Sequence, residues 1–211
     1  MVAKRSARSE RTQTISQARA LIVTGPDDLR DRFAHHTAAA LVAEAAALRP
    51  RPGDAAACAT RVALRELARR AGYLEDQIAR LVELIVPLVA AWAPDLLSLP
   101  GVGPDTAALL LIAAGDHPGR LRSEAAWAHL CGVAPIPASS GKRTRHRLNP
   151  GGDRQANHAL WRIVITRMSS HPETRAYVER RTKEGLSKPE IICCLKRYVA
   201  REVHHHLRAG G

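Results

Sequence analysis

Eight apolar residues, Leu64, Leu67, Ala71, Leu74, Ile78, Leu81, Ile85 and Leu88, alternate steps of three and four along the segment 57–93. This a/d seam is sustained over more than three heptads, so the segment must form one long helix with a continuous apolar edge. Arg65, Glu66, Arg69, Arg70, Glu75, Asp76, Arg80 and Glu83 lie between the seam residues. Their mixed charge suits a solvated outer face. A coiled coil between chains and a long helix inside a helical domain satisfy the pattern equally. Pro87 is expected to kink or end the helix near its last turn, because it removes one backbone donor and crowds the preceding turn.

The rest of the chain also reads as helical. Residues 1–24 are basic, and Ile15, Ala18, Leu21 and Ile22 make an apolar stripe in the second half. Gly25-Pro26 ends this segment, and Pro26 suits the first turn of a short helix. An Ala-rich helix over about 37–48 precedes the linker Arg49-Pro50-Arg51-Pro52-Gly53. From residue 95 short helices alternate with glycines: Pro104–Ala114, Ser123–Leu130, and about 153–168, 172–184 and 187–207. Residues 131–151 hold many Gly, Pro and Ser and read as a long loop or small hairpin, a length often tied to function. No alternating strands and no internal repeat stand out. The expected fold is mainly α: a helical N-terminal segment (1–54), a coiled-coil-type helix (55–94) and a compact helical domain with a long basic loop (95–211).

Charge narrows the partner. The 211 residues carry 32 Lys and Arg against 20 Asp and Glu, a net +12, which points to a polyanion such as nucleic acid. Aromatics make up only 3%, so a fold that stacks bases on a sheet of exposed rings is disfavoured and phosphate contact should dominate. The four cysteines, Cys58, Cys131, Cys193 and Cys194, form no C-x-x-C pair; reduced, mostly buried thiols in the cytoplasm are expected. No apolar run has the length of a membrane span.

Three stretches can carry chemistry. Ser139-Ser140-Gly141 precedes Lys142, Arg143, Arg145, His146 and Arg147 with no intervening acid. A hydroxyl there can attack phosphorus while guanidinium groups hold the phosphate oxygens. An ordinary basic turn has the same composition. Leu99-Pro100-Gly101-Val102-Gly103-Pro104 lies between two helical segments, in the form of a helix-hairpin-helix. Its glycines let the backbone approach a phosphate, and the N–H groups at the next helix start can bind it; a tight inter-helix turn is the plainer alternative. In Asn149-Pro150-Gly151-Gly152-Asp153-Arg154-Gln155-Ala156-Asn157, Asp153 can cap the following helix. Arg154, Asn157, His158, Arg162 and Arg167 recur near helical spacing and could line a nucleic-acid groove. A solvated face serves Arg162 and Arg167 equally well. His204-His205-His206 cannot chelate one ion well from a helix, since neighbours point about 100° apart. Trp92, Trp127 and Trp161 read as core or interface anchors. Asp95, Asp105 and Asp116 make no two-metal cluster.

The order Leu-Pro-Gly-Val-Gly (99–103), Leu-Cys-Gly-Val-Ala-Pro (130–135), Ser-Ser-Gly-Lys-Arg (139–143) and Gly-Gly-Asp-Arg-Gln-Ala-Asn (151–157) resembles the C-terminal transposase domain of the insertion-sequence 110/116/902 family. The tail segments 170–177 and 194–202 fit as well. The resemblance runs from about Arg11 to Leu207 and is most specific over 97–160. It implies a DNA recombinase guided by a structured RNA, with a RuvC-like N-terminal domain whose carboxylates bind Mg2+, then a coiled coil, then this domain. It further implies that Ser140 is the nucleophile and forms a phosphoserine link to DNA. Lys142, Arg143, Arg145, Arg147 and Arg154, with Gly101, Val102 and Gly103, are the expected DNA contacts. No substitute for the four carboxylates stands in this sequence, so Mg2+ is expected only with that N-terminal domain, and a truncated or split transposase is expected. Partners would be DNA, a structured guide RNA and a second copy through 57–88. The competing reading is a helical nucleic-acid binder without catalysis, descended from a transposase. A scaffold built on the heptad helix is a third.

Overall fold

Leucine spacing, caps and glycine stops divide the chain into helices close to those expected. The computed structural model describes residues 1–49, 54–115, 121, 123–137, 146–147 and 149–209, with 146, 147, 208 and 209 as backbone alone. The helices are α1 (Val2–Thr24), α2 (Asp27–Phe33), α3 (Ala38–Ala46), α4 (Ala55–Trp92), α5 (Pro94–Leu97), α6 (Pro104–Ala114), α7 (Glu124–Leu130), α8 (Arg154–Ser170), α9 (Pro172–Lys183) and α10 (Lys188–Ala209). Two short strands, β1 (Ile136–Pro137) and β2 (His146–Arg147), pair antiparallel. The fold is mainly α. It comprises two compact units, Met1–Leu84 and Ile85–Gly211.

In the first unit, α1 runs antiparallel to the first half of α4. Glu10 meets Arg70 and Arg11 meets Glu75, while Gly25 lies against Thr60. Ala18, Ile22, Leu29, Phe33, Leu41, Ala45, Leu48, Leu64 and Ala68 form its core. Thr37 caps α3, its hydroxyl accepting from the Ala40 N–H. Glu44 accepts from Arg32 and faces His36, and these partners hold its carboxyl below the usual range. The heptad seam is therefore split. Along the seam Leu64, Ala71 and Leu74 are buried, Ile78, Leu81 and Ile85 are half-buried and Leu88 is exposed, as are Leu84 and Trp92 beside it.

Pro87 does not end α4, which continues through it to Trp92. The carbonyl that loses its donor is that of Glu83, an exposed residue, so water can satisfy it. Helix α1 also begins earlier than its apolar stripe indicates, at Val2, with Ala7 buried in its basic first half.

The second unit is arranged around α8, which packs against α6, α9 and α10; α7 lies on α10. Leu110, Trp127, Leu160, Ile163, Val164, Ile191, Val199 and Val203 fill its core. Glu124 of α7 pairs with Arg197 and Arg201 of α10. Burial, with Arg201 nearby, lowers the Arg197 pKa. Ser187 donates to the Glu190 carboxylate through both its N–H and its hydroxyl at the start of α10, which supplies the glutamate half of the expected capping box. Among the described residues no helix is long and apolar enough to cross a membrane.

Candidate nucleic-acid interface

The turn between α5 and α6 is built from local bonds first. Gly101 sits at φ 74, a region that favours glycine. A side chain there would crowd the Ile163 carbonyl at 3.1 Å and the Arg167 Cγ at 3.2 Å, so the turn lies directly on α8. Val102 is buried, and its N–H donates to the Leu99 carbonyl over 3.1 Å. The Gly103 N–H donates to the Thr106 hydroxyl at 3.0 Å, and that hydroxyl donates back to the Gly103 carbonyl at 2.9 Å. Two of the turn's donors are thus engaged internally, and Pro104 has none.

Arg167 fastens this turn from below. It is 5% exposed; its Nε donates to the Pro100 carbonyl at 2.7 Å and its Nη2 meets Glu202 at 2.8 Å. Neither a groove-lining nor a solvated role describes it. Arg167 follows Arg154 by thirteen residues, which sets it about 140° away around the helix, and the turn covers its side. Asn157 also points inward: its Nδ2 donates to the Cys131 and Gly132 carbonyls at 2.8 and 3.2 Å. The buried Lys196 donates to Asn157 Oδ1 at 3.0 Å. Arg154 and His158 are exposed. Arg162 is partly exposed and lies 3.9 Å from Asp105.

Asn157 and Lys196 brace the base of the basic segment. The end of α7 and the start of α8 meet there: Asp153 N–H donates to the Leu130 carbonyl at 2.6 Å. The Asp153 carboxylate accepts from the N–H groups of Gln155 and Ala156, both at 2.8 Å, as the cap of α8. Gly132, at φ 65, lies against Gly152 with no room for a side chain between them. From this base the chain leaves through β1 and returns through β2, with Ile136 opposite Arg147 and Pro137 opposite His146. The segment between the strands contains Ser139, Ser140, Lys142, Arg143 and Arg145, which lie outside the described residues. For Arg147 only the backbone is described.

Cys131 is buried at this base. Burial, and secondarily the Asp153 charge, pushes its thiol far above the usual range, so it stays protonated and unreactive. A maleimide is expected to spare Cys131 in the folded protein while modifying the half-buried Cys58, Cys193 and Cys194. Peptide mass spectrometry after brief exposure reads this directly; equal labelling of Cys131 would contradict the packing of the base.

Among the described residues no group of three His, Cys, Asp or Glu side chains is placed to hold a metal ion. His204 is buried, with Nε2 3.3 Å from the Leu121 carbonyl. Trp127 is a core anchor, but Trp92 and Trp161 are 74% and 41% exposed.

The chain is 35% identical over 138 residues to the insertion element IS110 43.6 kDa protein of Streptomyces coelicolor, covering 65% of this chain and 33% of that protein. It is 29% identical over 103 residues to the insertion element IS900 42 kDa protein of Mycobacterium paratuberculosis, covering 48% of this chain and 26% of that protein. The chain therefore spans about one third or less of the length of these relatives. Residues 93–179, which hold the α5–α6 turn, the strand pair, all of α8 and most of α9, match the model of the transposase IS116/IS110/IS902 family.

Proposed function

We propose that this chain supplies the DNA-handling part of an insertion-element transposase, with Ser140 as nucleophile. The observation that carries this reading is the family match over 93–179, which spans both the α5–α6 turn and the Ser139–Arg147 segment. The braced base at Gly132, Gly152 and Asn157 supports it, since a nucleophile needs a fixed scaffold beneath it. In the reaction the Ser140 oxygen bonds to phosphorus, the bond from phosphorus to one deoxyribose oxygen breaks, and that oxygen leaves as a hydroxyl after taking a proton. The phosphoserine ester retains the bond energy for rejoining. Lys142, Arg143, Arg145 and Arg147 offset the charge on the phosphate oxygens. Of the α5–α6 turn, the half-buried Gly101 and Gly103 approach the duplex backbone while the buried Val102 anchors it, and Arg154 contacts a neighbouring phosphate.

Magnesium chemistry belongs to a carboxylate-bearing domain. No described cluster of this chain fits an ion, so no step here is routed through one. A structured guide RNA is the second nucleic-acid partner in this reading. A second copy would pair along the heptad helix, and the exposed Leu84, Leu88 and Trp92 are the seam positions and neighbours open to it.

The deciding experiment is a covalent adduct assay on Ser140→Ala. Binding gives an independent test. If Lys142, Arg143, Arg145, Arg147 and Arg154 each neutralise one phosphate, log K for duplex DNA falls against log salt with a slope of about −4.5. Fluorescence anisotropy across about 50–200 mM salt measures it. Replacing Arg143, Arg145 and Arg147 together by Gln should lower the magnitude of that slope by about 2.7. An unchanged slope would remove these arginines from the interface.

A further inference from the structure

The solvent face of α8 carries a feature that phosphate binding does not use. Arg154, His158 and Trp161 follow at intervals of four and three, which puts them on one side of the helix. His158 and Arg154 are exposed, and Trp161 keeps 41% of its surface in solvent. The imidazole and indole stack with centroids 5.7 Å apart and planes 26° from parallel. In a chain with 3% aromatics, an exposed tryptophan held by a neighbouring ring stands out from a random surface residue.

We infer that the His158–Trp161 pair is a stacking platform for an unpaired nucleobase, with Arg154 binding the adjoining phosphate. This rests on the nucleic-acid role proposed above and names a further contact within it. The platform's surroundings favour a base over a protein partner. Arg154 lies two turns before Trp161, about 10 Å along the axis, and the neighbouring Arg162 and Thr166 are polar. A protein-docking centre would be ringed by apolar surface, whereas a base needs one flat π face beside a cation. The stack restrains the indole before binding, so less side-chain freedom is lost when a base arrives.

The test uses the full chain and four labelled or competing polyanions: a deoxyuridine homopolymer, a uridine homopolymer of equal length, a duplex DNA and heparin. Trp161→Ala should weaken the single strands by roughly tenfold while duplex and heparin change by less than about twofold. Trp161→Tyr should retain most of the affinity, and His158→Ala should fall between. Preference for one homopolymer identifies the sugar of the strand, and either preference supports the platform. Equal single-strand binding by wild type and Trp161→Ala overturns it. So does a parallel loss on all four ligands, or a change in sedimentation in place of binding. Salt-sensitive duplex binding together with single-strand binding that does not depend on Trp161 sinks the platform alone. Wild-type failure to bind any of the four overturns the proposed function as well.

Discussion

Ser140→Ala is expected to abolish covalent attachment of this chain to DNA. The reaction needs an oxygen nucleophile that becomes part of a phosphoester, and alanine offers none. The assay mixes the chain with labelled duplexes carrying an insertion-element end, together with a full-length relative whose corresponding serine is replaced, which in the proposed reading would supply the carboxylate-bearing domain. Adducts are read after denaturing electrophoresis. Wild type should give a labelled band at the mass of this chain plus its attached strand, and Ser140→Ala none. Ser139→Ala should leave the band, because the resemblance aligns the nucleophile with the residue directly before Gly141. Arg143→Gln should lower the yield by roughly 10²–10³-fold if its guanidinium holds the developing charge. Ser140→Ala removes no charge, so its salt-dependent DNA binding should match wild type. An adduct that persists at full yield in Ser140→Ala refutes the assignment. Salt-sensitive binding with no adduct from any variant, wild type included, favours the non-catalytic binder.

The helices were legible because each boundary is written locally. Pro104 at the first turn and Gly115 after the last delimit α6; Ser123 and Asp153 cap α7 and α8 with their side chains. The antiparallel β1–β2 pair realises the small-hairpin alternative for 131–151, at the level of backbone. What spacing could not give is which side of a helix a neighbour covers. Arg154 and Arg167 lie about 140° apart around α8, so spacing separates their faces, but it does not say that the α5–α6 turn covers Arg167 and leaves Arg154 exposed. Asn157 looked like a groove residue, and only the return of the chain from Leu130 shows why an amide is needed there: two carbonyls turn inward beside a buried lysine. Pro87 shows the same limit. Its backbone effect is certain, but whether the helix stops depends on whether water reaches the carbonyl left without a donor. The exposure of Trp161 was hidden too, since tryptophan normally signals a core.

The second large effect is expected at Gly152, and its neighbour Gly151 provides the contrast. The sequence reads both as one flexible turn. A Cβ on Gly152 would overlap the backbone N and Cα of Gly132, and no rotamer change relieves a clash between main chains. A Cβ on Gly151 would meet only the Asn149 Oδ1, at 3.4 Å. Gly152→Ala must therefore part the chain segments that meet at Gly132 and Gly152. That strains the 2.6 Å bond from Asp153 N–H to the Leu130 carbonyl and the Asn157 bonds to Cys131 and Gly132. Overpacking of this kind costs about 1–3 kcal/mol, and the unit should melt about 5–10 °C lower. Gly151→Ala should stay within about 0.5 kcal/mol of wild type. Gly132→Ala is expected to fall with Gly152→Ala, because its φ of 65 adds a backbone cost of about 1–2 kcal/mol to a 3.0 Å approach to the Asn149 carbonyl. Thermal denaturation followed by circular dichroism measures all three. If Gly151→Ala and Gly152→Ala melt together, the close approach of Gly132 and Gly152 is not what holds the base. If they separate as expected, Gly152→Ala should also lose adduct formation at temperatures where it remains folded. The base would then be required by the chemistry as well as by the fold.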